Sequence, residues 1–414
     1  MPNKIARYCR AGIRYLTDKD YRFLIHSSDK KYQKMDDESY LKLKFKASMG
    51  YELDLKNPRT FNEKLQWLKL YDHRPEYTQM VDKYRVREII ASTIGEEYLI
   101  PLLGVWDDPD DIPFADLPNQ FVLKCNHNSG TGMCICRDKS ALDIEKVKAD
   151  LRRGLAQDYF ISGREWPYKD VPRKIICEKY MEDTSSQDLP DYKVHSFNGV
   201  PKVILVCRDR FKASGLTEDF FTEQWEHLPV SRVLHPNAAQ PIKRPQELDQ
   251  MVALTEKITQ DLPFARVDFY TIKEKLYFGE VTLYPASGFE KFVPDKYDHE
   301  FGEWIKLPEI SGGGYIYHRL NTFLYVHIED TNPENRGLND YKFFCFGGKV
   351  KFFKVDFDRF IEHHANYYSP EGKLLEFGEA DYPPKPEREL VLPDNLAEME
   401  RLAEILAKDY PFLR

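Results

Sequence analysis

Between Phe264 and Phe289 the chain reads FARVDFYTIKEKLYFGEVTLYPASGF, which sets a guanidinium and two carboxylates on what read as adjacent strands. Side chains alternate along an extended strand, so Arg266, Asp268 and Tyr270 share one face. A short polar turn then returns Lys275 to Leu283 beside it, carrying Glu280 and Thr282. Such a grouping suits magnesium and a nucleotide, because magnesium takes hard oxygen ligands and shares them with substrate phosphates. It therefore needs a phosphate cradle upstream, and Lys124 offers one. In KCNHNSGTGMCIC, Lys124 closes a strand and the loop Asn126 to Gly132 turns the chain back through Ser129, Gly130 and Gly132. Glycine lets backbone N–H groups approach phosphate oxygens, and a strand-end lysine adds a compact positive charge. Each piece alone has a plainer explanation: Asp268 or Glu178 as a surface partner for a neighbouring cation, the glycine loop as an ordinary hairpin. His127 and His195 lie close by and read as local hydrogen-bond partners.

The elements that must position these groups are legible around them. Thr60 and Glu63 form a capping box, after which Leu65, Leu68 and Tyr71 share a helical face. A second helix is predicted from near Val81, with Lys83 and Arg87 on its polar side and Val86, Ile89 and Ile90 inward. YLIPLLGVW reads as a buried strand or turn, and the acidic, proline-containing stretch Asp107 to Pro118 as a surface connection. From Phe121 short strands take over: FVLKC, GMCIC, an amphipathic helix through Ile144, Val147, Leu151 and Leu155, and a strand over Lys174 to Tyr180. Asp191 to Phe197 leads through Asn198-Gly199, a strong hairpin signal, into Lys202 to Val206. A helix over Leu248 to Gln260 precedes the acidic hairpin. The class is α+β with largely antiparallel sheets, which excludes a simple doubly wound fold.

The chain also repeats itself. LPDYKVHSFNGVPKVILVCRDRF, from Leu189 to Phe211, matches LNDYKFFCFGGKVKFFKVDFDRF, from Leu338 to Phe360, without a gap. KRPQELDQMVALTEKITQDLPFAR, ending at Arg266, matches VLPDNLAEMERLAEILAKDYPFLR, ending at Arg414. The second copy has nothing matching Asp268, Glu280 or the Lys124 loop, so it is expected to be a structural or assembly element that does not bind metal alone. Packing on the first copy or on another subunit, as in a homo-oligomer, would cover its edge.

Composition bounds the rest. With 414 residues, 42% hydrophobic and 14% aromatic, the chain is globular and long enough for two or three domains. A net charge of -8 argues against a general nucleic-acid partner. The seven cysteines are odd in number and mostly sit in apolar runs, which reads as reduced, buried thiols; the Cys134-Cys136 pair has no second pair at zinc-ligand spacing. No apolar run approaches the ~20 residues needed to span a bilayer, so a cytoplasmic protein is expected. Residues 4–26 carry Lys4, Arg7, Arg10 and Arg14 at helical spacing, a face that suits either solvent or peripheral contact with an anionic membrane.

The order of the pieces carries a resemblance. Asp82-Lys83 opens the predicted helix, Lys124 precedes a small-residue loop, Glu178-Lys179 ends a strand, and R-x-D is followed by E-x-T at Glu280 and Thr282. This order is similar to that of D-alanine:D-alanine ligases in the ATP-grasp superfamily. Over most of Asn57 to Pro308, including FNEKLQWLKLYD, VDKY, EEYLIPLLGVWD, FVLKCNH, DYK and GEVTLYPASGFEKF, the chain more closely resembles the TupA-like ATP-grasp family, associated with teichuronopeptide and other cell-surface polysaccharide synthesis in bacteria, capsule included. The resemblance implies two α+β lobes clamping ATP and Mg2+: a helical segment over 1–75, a core over 76–308 with its small lobe at about 119–180, and the truncated repeat over 309–414.

The same resemblance implies roles. Glu178 would accept from the adenine amino group, with backbone at Lys179 and Met181 on the ring edge and Asp191 or Glu182 on the ribose. Lys83, Lys124 and Lys193 would neutralise phosphates, beside the loop atoms of Ser129, Gly130 and Gly132. Asp268 and Glu280 would hold magnesium, Arg266 would face charge developing at the reacting centre, and Ser287 would meet the acyl substrate. Thr282 departs from the asparagine many ATP-grasp enzymes place there. The implied reaction is carboxylate–amine ligation through an acyl phosphate, on small-molecule or glycan-linked substrates. A glycosyltransferase, for which Asp356-Phe357-Asp358 supplies a D-x-D, and a non-catalytic nucleotide-binding scaffold are the alternatives.

Overall fold

The computed structural model describes residues 14–182, 190–208, 215–233, 235–308, 317–319, 324–326, 340–346, 349–357, 364–378, 383–388, 392–393, 395–407 and 412–413. The chain divides into two compact units, Met1–Leu307 and Pro308–Arg414.

The first unit opens with helices α1 (Lys19–His26), α2 (Lys30–Gln33), α3 (Asp37–Met49) and α4 (Phe61–Tyr71). The α4 capping box is formed: Glu63 N–H donates to the Thr60 hydroxyl at 3.1 Å, and the Glu63 carboxylate accepts from Thr60 N–H at 3.0 Å. Behind that cap Leu65 and Leu68 are buried, and α4 joins the large core shared by the principal sheet. Its polar side is tied to α10 (Lys296–Trp304): Asp298 accepts from the backbone and side chain of Asn62 at 3.0 and 2.8 Å.

The helix expected from near Val81 starts five residues later, after a separate short helix. α5 (Glu76–Val81) ends there and α6 (Val86–Thr93) begins later. The reason is the Asp82 side chain, which accepts from Tyr84 N–H and from the Asn126 amide, each at 2.8 Å. That bond to a distant loop replaces the local helical bonds that periodicity alone would favour.

A four-stranded antiparallel sheet follows, in the order β1 (Leu102–Trp106), β4 (Ile175–Lys179), β2 (Phe121–Cys125), β3 (Met133–Cys136). In β2, Phe121, Leu123 and Cys125 turn inward to pack with Val147 and Leu151 of α7 (Ile144–Leu155). Lys124, at the opposite parity, is left on the other face. α8 (Phe160–Gly163) leads on toward β4.

The principal sheet has six strands, ordered β11 (Lys275–Thr282), β10 (Phe264–Ile272), β5 (Asp191–Phe197), β6 (Val200–Arg208), β7 (Thr217–Thr222) and β8 (His227–Leu228). Asn198 and Gly199 turn β5 into β6 with φ of 51° and 78°, as a tight hairpin requires. One cross-strand row, Val281, Val267, Val194, Ile204 and Phe221, is wholly apolar and buried. It faces the core that includes α9 (Leu248–Thr259), each such side chain contributing about 1.5–3 kcal/mol. The adjacent row, Glu280, Asp268, Lys193, Leu205 and Phe220, changes from charged to apolar across the sheet. A short pairing of β9 (Ser231–Arg232) with β12 (Phe292–Val293) completes the unit.

In the second unit, β13 (Tyr317–Arg319) pairs with β14 (Leu324–Val326). Beside them stands a four-stranded sheet ordered β17 (His364–Tyr368), β16 (Lys349–Phe357), β15 (Asp340–Phe346), β18 (Phe412–Leu413), with α11 over Leu396–Ala407. The repeat seen in sequence is kept in register. Phe346 pairs with Phe412 as Phe197 pairs with Phe264, and Cys345 with Leu413 as Ser196 with Ala265.

Among the described residues no helix is long and apolar enough to cross a membrane. Residues 4–13 of the expected basic face lie outside the described residues, and the described cysteines are all free thiols.

Candidate functional site

The acidic hairpin forms as expected. Asp268 on β10 stands opposite Glu280 on β11 and opposite Lys193 on β5, while Arg266 stands between Thr282 and His195. Arg266 grips Asp268 with both arms of its guanidinium, Nε to Oδ1 at 2.7 Å and Nη2 to Oδ2 at 2.8 Å, and reaches Glu280 Oε1 at 3.1 Å. Lys193 Nζ bonds Asp268 Oδ2 and lies 2.6 Å from Asp191 Oδ2. Burial alone would raise the Asp268 pKa, but the Arg266 and Lys193 charges overcome it and hold the carboxyl below its usual range. Burial pushes Asp191 up, and the neighbouring Asp268 charge adds to that.

These two carboxylates differ in reach. The Asp268 side chain is 1% exposed and the Glu280 side chain 41%. The set Asp268, Glu280 and Thr282 is an all-oxygen donor set on one sheet face, which fits a hard cation in type. With Asp268 already held by two cationic groups, Glu280 is the ligand open to an ion. Among the described residues there is no cluster of three or more His, Cys, Asp or Glu arranged to hold a metal.

The small sheet supplies the facing half. Lys124 Nζ lies 2.7 Å from Glu178 Oε2, and Arg87 approaches Oε1 of the same carboxylate at 3.5 Å. Lys83 donates to the Asn128 carbonyl. Burial lowers the Lys83 pKa; Glu280 opposes that shift and Lys124 adds to it, so this ammonium on the α5–α6 turn lies near both the small-sheet lysine and the acidic hairpin. Met181 is partly buried beyond the strand, and the Lys179 N–H donates to the Pro101 carbonyl at 2.9 Å. Asp191 stands on β5 opposite Tyr270 and Cys207, one row beyond Lys193 on the same face.

The loop is built around fully buried Asn126, whose side chain bonds Asp82, the Pro172 carbonyl and the Lys174 N–H at 2.8, 2.9 and 2.8 Å. It thus ties the β2 end to the α5–α6 turn and to the start of β4. The loop glycines serve different ends. Gly132 has φ 68°, and a Cβ there would come within 2.8 Å of both Cys125 Sγ and Gly154 Cα, so it permits close packing on α7. Gly130 has φ 79° and open space around it, beside exposed Ser129. Of the two, Gly130 has the room for a phosphate.

Several participants escaped sequence reasoning. Ser287 turns its hydroxyl toward Lys69, 3.2 Å away, and its carbonyl accepts from the same ammonium at 2.7 Å. Lys69 is 2% exposed and also donates to Gln66 Oε1 and the Gly163 carbonyl, at 3.1 and 2.8 Å. Burial lowers its pKa to about 7, against the attraction of Glu165. Burial likewise raises Tyr159, which senses both Glu165 and Glu280, so this node adjoins the acidic row. A lysine four residues after Leu65, on the buried face of α4, was the available signal. Arg232 was also missed: it is bonded to Glu218 and lies 2.7 Å from Glu290 Oε1. Nothing in its local sequence marks it.

The sequence profile described as TupA-like ATPgrasp matches residues 63–306 and 315–414. No curated protein matches the sequence. Among solved structures, a D-alanine–D-alanine ligase from Bacillus anthracis complexed with ATP is similar at 16% identity and a TM-score of 0.31, over 50% of this chain and 54% of that one. The chain thus spans about half the length of that ligase. The D-alanine–D-alanine ligase of Helicobacter pylori is similar at 12% identity and a TM-score of 0.34, over 60% and 70% of the two chains. For N5-carboxyaminoimidazole ribonucleotide synthetase of Thermus thermophilus the figures are 14% and 0.30, over 58% and 52%.

Proposed function

This chain belongs to the TupA-like ATP-grasp family, and on that premise we propose that it is an ATP-dependent ligase that joins a carboxylate to an amine through an acyl phosphate. The observation that carries the reading is the meeting of two charged groups: Lys124 on the small sheet with Lys83 on the α5–α6 turn, and Arg266, Asp268 and Glu280 on the principal sheet, with Lys83 sensing Glu280. Basic groups on one side and acidic groups beside a guanidinium on the other match the needs of a triphosphate with its metal.

In this reading Glu178 and the backbone beyond it meet adenine, the Gly130 side of the loop meets phosphate oxygens, and Lys83 and Lys124 neutralise them. Glu280, with Asp268 and Thr282, would hold magnesium, which when bound screens charge on the transferring phosphoryl group. Arg266 and Lys193 are already preorganised by Asp268, so they offer positive charge to the reacting carboxylate without reorganising. A carboxylate resists amines because it is anionic and lacks a leaving group; phosphorylation supplies one, and the chain needs only to position and neutralise. The family's association suggests a uronic acid, amino acid or other component of a surface glycan, handled in the cytoplasm where ATP is available.

The glycosyltransferase alternative loses its motif. Asp356 is fully buried and bonded to Lys342 and Lys354 at 2.6 and 3.1 Å, so it does not present a metal ligand; Asp358 lies outside the described residues. The deciding experiment pairs calorimetry of Mg-ATP binding with a screen of carboxylates and amines for ADP release. Lys124→Ala is expected to weaken Mg-ATP at least about tenfold, a loss of about 1.4 kcal/mol. ADP release that requires both a carboxylate and an amine supports the ligase. Binding without turnover leaves the scaffold, and no binding by the native chain overturns the reading.

A further inference from the structure

Resting on that reading of the cleft, we propose that Nε2 of His195 receives the N–H of the attacking amine, which places the amine subsite on the principal sheet beside Arg266, on the side away from Thr282. His195 stands on β5 opposite Arg266, on the face that carries the acidic row. Its Nδ1 lies 3.0 Å from the Lys193 carbonyl. A carbonyl only accepts, so Nδ1 carries the hydrogen, and in a neutral ring Nε2 keeps a lone pair. The ring is held neutral: burial, followed by the Arg266 charge and then Arg232 and Lys193, pushes its pKa down to about 3, against the opposing bond to the Lys193 carbonyl.

His195 is 8% exposed, and no described residue donates to Nε2. The neighbouring guanidinium groups are committed elsewhere, Arg266 to Asp268 and Glu280, Arg232 to Glu218 and Glu290. The rings nearest the imidazole, Phe264 and Phe220, with centroids 6.1 and 6.5 Å away, offer no donor either. Nε2 is not among the fully enclosed side-chain atoms that lack a partner, so it is open to an outside donor, and a ligand's N–H can take the place of water there. The lone pair also selects the class. A carboxylate or phosphate would oppose it with lone pairs of its own, whereas an amine presents N–H.

The group transfer then balances. The amine nitrogen attacks the acyl-phosphate carbon beside Arg266, the C–N bond forms, and the C–O bond to phosphate breaks with its electron pair leaving on phosphate. The proton shed by nitrogen leaves on the departing phosphate, Nε2 only accepting the hydrogen bond; nothing is oxidised or reduced. The local bond expected of His195 from sequence is present at Nδ1, and that bond is what turns Nε2 outward as an acceptor.

The test is long-range proton–nitrogen NMR on the full chain with isotope-labelled histidine, in the presence of Mg-AMP-PNP, with hydroxylamine as the uncharged amine probe. His195 is identified by the resonance lost in His195→Gln, or in His195→Asn if the first variant does not fold. The expected result is an Nδ1–H tautomer whose unprotonated Nε2 shifts saturably with hydroxylamine. The Gln variant should keep Mg-AMP-PNP affinity within about twofold of the native chain. A ring protonated on Nε2, or an Nε2 resonance that hydroxylamine does not move, overturns the proposal. Failure of the native chain to bind Mg-AMP-PNP overturns the ligase reading instead, and calorimetry shows which of the two has failed.

Discussion

Lys69 Nζ lies 2.7 Å from the carbonyl oxygen of Ser287, a residue held at φ 56° in a turn just downstream of the acidic hairpin. Ala286 before it is also left-handed, at φ 46°. Two such residues in succession are strained, and the buried ammonium holds the turn by bonding both Ser287 and Gly163.

Replacing Lys69 by Met is therefore expected to cost about 3 kcal/mol, because two carbonyls lose their donor and Glu165 loses its opposite charge. The cost should depend on pH. The unfolded lysine keeps its proton to about 10.5 while the folded one releases it near about 7, so between these values the unfolded state binds more protons and native stability rises with pH. Urea denaturation of both proteins across that window should show a steeper rise in the native chain than in the variant, which keeps only the contribution of other buried lysines such as Lys83. An equal slope in both would remove Lys69 from this role.

Asp268→Asn and Glu280→Gln should separate. Asp268 is buried between Arg266 and Lys193, so its loss of charge should destabilise the fold by about 2–4 kcal/mol as well as reduce turnover. Glu280 is the more exposed of the pair, and Glu280→Gln should keep stability within about 0.5 kcal/mol while magnesium-dependent turnover falls. Equal melting temperatures for the two variants would contradict the geometry.

Alanine at the loop glycines should also discriminate. Gly132→Ala drives a methyl group against Cys125 and the Gly154 backbone and is expected to destabilise by about 3 kcal/mol. Gly130→Ala has free space and costs only the left-handed backbone, about 1 kcal/mol. Its larger effect should appear in Mg-ATP affinity, measured by calorimetry. A Gly132 variant as stable as the Gly130 one would refute the packing account.

Asp298 offers a second titration. Burial raises its pKa from 3.8 to about 6, against the bonds from Asn62. A folded pKa above the unfolded one gives stability that is full below about 3.8 and lost as pH rises through about 6. Asp298→Asn should accept the same bonds without that loss, so its melting temperature should fall less than the native chain's over this range, an advantage of about 2 kcal/mol at neutral pH. Parallel melting profiles would show that Asp298 does not titrate there.

What sequence could show follows from the range of the interactions. The capping box at Thr60, the Asn198-Gly199 hairpin and the pairing of Asp268 with Glu280 depend on neighbours or on strand alternation, and all were legible. The end of α5 was not, because Asp82 is taken by Asn126, 44 residues away. The same distance effect hid Lys69, whose partners come from α8 and from the Ser287 turn. Arg232 was invisible for a further reason: a lone arginine in a loop looks solvated until its two carboxylates, brought from β7 and from the segment before β12, close on it. Glu178 was read as a hinge acceptor, and only the folded small lobe shows Lys124 and Arg87 on its two oxygens.

The shared register of β5–β10 and β15–β18 turns the chain into its own substitution experiment. Lys193 recurs as Lys342, and each bonds a carboxylate on its own sheet, Asp191 and Asp356, at 2.6 Å, so a folding role accompanies whatever else that lysine does. Position 195 recurs as Phe344, whose ring stacks on Phe352 with centroids 4.5 Å apart. A sheet of this pattern is thus content with an apolar ring where the first copy carries an imidazole. The histidine is an outlay that folding alone does not demand, and divergence between duplicated halves separates what the scaffold needs from what its chemistry needs.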